Sequence, residues 1–108
     1  NKMNKIPRSI LNMKNLRKLD LRNNEIFYLP QELNLLKNLD ELWLDNNKLK
    51  EFPHVLSELS SLQYLWMDNN EIEKIEDDCI LPCIKCLSIE NNRIKDLGGI
   101  TKWKTLDT

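Results

Sequence analysis

Asparagines at positions 1, 24, 47, 70 and 92 stand 23, 23, 23 and 22 residues apart, and an apolar framework of the form LxxLxLxxNxL travels with the last four. A fixed period of this length means that one structural unit is repeated, each copy burying its apolar side against the next in a linear stack. The framework runs Leu16 to Ile26 (LRKLDLRNNEI), Leu39 to Leu49 (LDELWLDNNKL), Leu62 to Ile72 (LQYLWMDNNEI) and Ile84 to Ile94 (IKCLSIENNRI). Every apolar slot in it holds an apolar residue.

Each slot has a physical reason. Alternate side chains of a strand point to opposite faces, so Leu19 and Leu21, Leu42 and Leu44, Leu65 and Met67, and Leu87 and Ile89 are expected inside, with the residues between them facing out. After the strand the chain must turn across the stack, leaving backbone donors and acceptors inside with no ladder to join. An asparagine amide carries both kinds of group. Asn24, Asn47, Asn70 and Asn92 therefore form a structural ladder, with no role in glycosylation or catalysis.

Between frameworks lie return segments. Ile6-Pro7 leads to Ile10 and Met13, Leu29-Pro30 to Leu33 and Leu36, and Phe52-Pro53 to Leu56 and Leu59. Proline presets φ and loses no needed donor in the first turn of a helix. Each return is expected to make a short helical or 3₁₀ turn on the side opposite the strands.

Together these residues resemble the leucine-rich repeat superfamily over essentially the whole chain. The 23-residue repeats with Leu-Pro or Phe-Pro are similar to the intracellular Ras-suppressor and Scribble-like group. The last return, Ile94, Leu97, Ile100, Trp103 and Leu106, resembles the 22-residue class of a protein phosphatase 1 regulator and of many axonemal proteins. The resemblance implies an α/β solenoid: a curved right-handed superhelix with parallel strands on its concave face and short helical or 3₁₀ turns on its convex face. It also implies non-enzymatic protein–protein recognition through the concave face.

The repeats divide the chain into a partial unit at 1–15, units at 16–38, 39–61, 62–83 and 84–105, and the start of another at 106–108. Neither end carries the polar cap that an open stack requires, so the chain reads as an excerpt of a longer array. A net charge of −1 with 31% charged residues offers no basic excess to hold a phosphate backbone. No apolar run approaches the roughly 20 residues of a membrane span. Nucleic acid and membrane are accordingly not expected as partners.

Cys79, Cys83 and Cys86 are odd in number, and no cysteine cap is visible. None of the 14 asparagines lies in an N-x-Ser/Thr acceptor site. A reduced, cytoplasmic setting is expected, cilium or cytoskeleton included. The C-x3-C-x2-C string lacks a fourth ligand, and the register scatters its thiols over different faces, so no metal and no cofactor are expected. With His54 as the only histidine and Gly98-Gly99 as the only glycines, no nucleophile–base pair and no phosphate-cradling loop can be assembled. No enzymatic role is expected.

What remains is the outward strand positions, which the register sorts into columns about 4.8 Å apart. The first column reads Lys18, Glu41, Tyr64, Cys86; the second Asp20, Trp43, Trp66, Ser88; the third Arg22, Asp45, Asp68, Glu90. Tryptophan and tyrosine dominate binding hot spots, and a cluster of them on a concave face is costly unless something covers it. The carboxylates of the third column oppose one another on adjacent strands, which is unfavourable. A basic or Arg-rich partner segment would relieve them and add cation–π contact with the indoles. The expected partner-binding set is thus Glu41, Trp43, Asp45, Tyr64, Trp66, Asp68, Ser88 and Glu90, with Lys18 and Arg22 as a positive corner. The function expected is that of a scaffold or adaptor, the alternatives being a structural part of a ciliary or cytoskeletal assembly and an extracellular recognition repeat.

Overall fold

In the computed structural model, which describes residues 2–76 and 81–95, each framework supplies one short strand. Asn1, positions 77–80 with Cys79, and positions 96–108 with Trp103 lie outside the described residues. The strands are β1 (Lys18–Asp20), β2 (Glu41–Trp43), β3 (Tyr64–Trp66) and β4 (Cys86–Ser88), in a parallel sheet ordered β1-β2-β3-β4. Leu19, Leu42, Leu65 and Leu87 lie in register across the sheet. All four are buried, as are Leu21, Leu44 and Met67 two positions on, while Ile89 is half-buried.

The returns pack on the opposite side of these residues. They are α1 (Arg8–Leu11) and two 3₁₀ turns, η1 (Gln31–Leu35) and η2 (His54–Glu58). Pro7, Pro30 and Pro53 sit just before these turns, in the capping position rather than inside the first turn. Their carbonyls accept from the N–H groups of Ile10, Leu33 and Leu56 at 3.1, 3.0 and 3.2 Å. Fixed φ and no N–H suit that place, where the chain leaves an extended path. Leu33, Leu36, Leu56 and Leu59 then reach the core with no exposed surface, closing it from the convex side.

The strands are much shorter than the frameworks because the chain is turned off the sheet soon after them. Asn23, Asn46, Asn69 and Asn91 hold φ of 61, 60, 60 and 58°, in the left-handed region. Asparagine tolerates that region better than other residues with a Cβ. The second asparagine of each pair then satisfies the corner. Asn47 Oδ1 accepts from the Ile26 N–H of the preceding repeat, while its Nδ2 donates to Leu21 O at 2.9 Å and Leu44 O at 3.0 Å. Asn70 repeats the pattern with Leu49 N–H, Leu44 O and Met67 O, and Asn92 with Ile72 N–H, Met67 O and Ile89 O. Asn24 accepts from the Met3 N–H and donates to Leu21 O. Each amide thus ties its own corner to the repeat before it.

Candidate functional site

The register that buries the leucines also sets the outward residues side by side. Lys18, Glu41, Tyr64 and Cys86 form one row, and Asp20, Trp43, Trp66 and Ser88 the next. Trp43 and Trp66 stack with ring centroids 4.9 Å apart and planes within 7°, close to the strand spacing. Tyr64, two residues before Trp66, stacks on it with ring centroids 6.2 Å apart and planes within 15° of parallel. All three rings are half-buried. On the β1 side of Trp43, the Arg22 guanidinium lies 5.9 Å from the ring centroid. A cation–π contact from Arg22 thus adjoins the stacked Trp43–Trp66 pair.

Charge is distributed unevenly along this face. Lys18 pairs with Glu41 at 3.4 Å. Arg22 grips Asp20 with a fork, Nε to Oδ1 at 2.9 Å and Nη2 to Oδ2 at 2.7 Å. The hydrogen bonds from Arg22 hold the Asp20 carboxyl below the usual aspartate range. The positive corner is thus neutralised internally. Among the described residues, no basic side chain forms an ion pair with Asp45, Asp68 or Glu90.

The acidic column nevertheless differs from its sequence expectation, under which these carboxylates had no stabilising partner. Asp45 Oδ1 accepts from the Asp68 N–H at 2.8 Å. Asp68 Oδ1 in turn accepts from the Ser88 hydroxyl at 2.6 Å and the Glu90 N–H at 2.8 Å. Each aspartate caps a backbone donor of the following repeat, so the column is partly structural. Charge reversal there would break the stack as well as any ligand contact; replacement by asparagine separates the two effects.

Burial raises the Asp45 carboxyl above its ordinary range, and the neighbouring Asp68 charge adds to it against the opposing Asp68 N–H bond. A carboxyl raised in the folded state binds its proton more tightly there. Its contribution therefore favours folding in acid and is lost as pH rises from the ordinary aspartate value through the raised one. Asp45→Asn keeps an oxygen for the Asp68 N–H and removes the charge. We expect this variant to melt as high as the parent chain at about pH 7, or a few degrees higher, and to lose any such advantage by about pH 3. A lower melting temperature at neutral pH that recovers in acid would contradict it.

Other features lie outside the framework positions. Phe27 and Tyr28 are 57% and 44% exposed, with ring centroids 5.0 Å apart. Their equivalents in neighbouring repeats are Asn4-Lys5, Lys50-Glu51 and Glu73-Lys74. That break in a polar column is the signal by which sequence could have found them. Cys86 is half-buried beside Tyr64 in the outer row, and Cys83 is exposed; both are free thiols. Among the described residues, no group of His, Cys, Asp and Glu is placed to hold a metal ion, and no helix is long and apolar enough to cross a membrane.

A family profile described as leucine rich repeat matches residues 14–72. No curated protein sequence matches the chain. Among solved structures, a leucine-rich repeat protein of Leptospira interrogans is similar at 34% identity and a TM-score of 0.90. The match covers 99% of this chain and 28% of the Leptospira protein, so the chain spans little more than a quarter of that protein's length.

Proposed function

Since the chain belongs to the leucine-rich repeat family, we propose that it is a non-enzymatic scaffold or adaptor module capturing a partner protein on the concave face of its sheet. Leucine-rich repeat domains generally mediate protein–protein interaction. The observation that carries the reading is the stack of Trp43 and Trp66 beside Tyr64, bordered by Asp45, Asp68 and Glu90, none of which forms an ion pair among the described residues. Large flat rings supply contact area, and uncompensated carboxylates choose a basic segment and steer its approach. Lys18 and Arg22 are already paired, so the polarity of the face runs one way: neutral at β1, acidic towards β4. The free thiols of Cys83 and Cys86 fit a reduced, cytoplasmic setting.

Selection from a random-peptide display library tests this directly. Peptides enriched on the chain are expected to be rich in arginine and lysine, to lose binding with added salt, and to be lost on a Trp43→Ala/Trp66→Ala variant. Enrichment that survives in the double variant, or that shows no basic excess, would overturn the proposal.

A further inference from the structure

The two ends of the aromatic row are built differently: a guanidinium stands at one and a serine with an acid beside it at the other. Trp43 and Trp66 stack at the strand spacing, and Tyr64, on the same strand as Trp66, packs beside it at 6.2 Å, so the row ends on β1 at Asp20 and on β4 at Ser88. At the β1 end the place beside Trp43 lies over Asp20. The Arg22 guanidinium lies on that side, 5.9 Å from the Trp43 ring centroid and forked to the Asp20 carboxylate. At the β4 end the corresponding place lies over Ser88, in register with Trp66. Serine is too small to fill it, and its hydroxyl is turned away to Asp68. Where Arg22 follows β1 in the third column, the exposed Glu90 follows β4. The acid is present at this end and the guanidinium is not.

Resting on the reading of the face given above, the geometry points to a single arginine subsite: a partner's guanidinium stacks on the β4-side face of Trp66, over Ser88, and pairs with Glu90 and the outer oxygen of Asp68. It would extend the stack to Arg22, Trp43, Trp66 and the incoming arginine, reproducing at β4 the arrangement the chain builds for itself at β1. A planar, delocalised cation is selected over an ammonium for two reasons. A flat group can lie on the indole over the small Ser88 side chain. A guanidinium can also stack and fork to a carboxylate at once, whereas an ammonium is a point charge with a tightly held hydration shell.

The experiment uses acetyl-Arg-Arg-Arg-amide, with the Lys₃ and citrulline₃ analogues as controls. They are titrated into the isotopically labelled chain while the indole N–H of Trp66 and the amides of Ser88 and Glu90 are followed by NMR. The arginine peptide is expected to move these signals, with the lysine peptide weaker by about tenfold and the citrulline peptide inert. Ser88→Arg places a guanidinium in the subsite in cis and should weaken the arginine peptide by about tenfold or more, whereas Ser60→Arg, which adds the same charge at an exposed position outside the strand face, should stay within about threefold. Equal binding of lysine and arginine, or shifts centred on Asp20 and Arg22, would overturn the subsite. So would undiminished binding to a folded Ser88→Arg chain. If display-selected peptides require Trp43 and Trp66 yet bind Ser88→Arg as tightly as the parent, the subsite is wrong and the face reading stands. If they ignore the tryptophan pair, the face reading itself fails.

Discussion

Changing Trp43 and Trp66 together to alanine is expected to weaken display-selected peptides by about 100-fold or more while the chain remains folded. Hot-spot aromatics cost about 2 kcal/mol or more each when truncated, and every 1.4 kcal/mol is about tenfold in affinity. The stability side is smaller. Both rings lie on the outer face of the sheet and are half-buried, and a stacked aromatic pair adds about 0.5–1.5 kcal/mol beyond its buried area. For a domain of about 100 residues the stacking loss alone corresponds to a fall in melting temperature of roughly 2–12 °C. Fluorescence anisotropy with a labelled peptide and a circular-dichroism melt read the two quantities separately. Intact binding with a collapsed melt would make the pair structural instead.

Asn70→Ala is expected to do the reverse, acting on the fold rather than on the face. Asn70 is buried, and its amide accepts from Leu49 N–H while donating to Leu44 O and Met67 O. Truncation leaves these groups inside without partners, at about 1–3 kcal/mol for each group that water cannot reach. A total of about 3–5 kcal/mol would lower the melting temperature by roughly 15 °C or more. Asn70→Asp keeps the acceptor but turns an oxygen and a negative charge on two carbonyls, so it should not rescue. Asn69→Gly sits one residue away at a φ of 60°, a conformation glycine adopts freely, and should be nearly neutral. An Asn70→Ala chain melting within about 2 °C of the parent would show that the corner does not depend on this amide.

The contrast between these two asparagines shows where legibility stopped. Periodicity singled out Asn47 and Asn70 because they recur beside the apolar slots, and the need for a two-way hydrogen-bonding group at the corner followed from backbone accounting. Asn46 and Asn69 recur just as regularly. Their task, a left-handed φ, is a backbone property that leaves no mark in an apolar pattern. Phe27 and Tyr28 illustrate a second gap. They interrupt a polar column outside the framework, and a search confined to framework positions passes over them.

The candidate face divides in the same way. Sequence alone determined which residues are neighbours, because period-two alternation with one side buried permits a single register, and a slip by one residue would put every leucine in water. That is why Trp43 stands beside Trp66, and Asp45 beside Asp68. Only the tertiary structure decided what those neighbours do with their side chains. Arg22 folds back onto Asp20 and Trp43 instead of standing free, and Asp45 and Asp68 turn towards backbone donors of the following repeat. The physical reason is one of range. Register follows from burial summed over many residues, whereas a side chain's direction depends on whichever single donor, acceptor or ring face lies about 3–6 Å away. That choice exists only once the stack has formed.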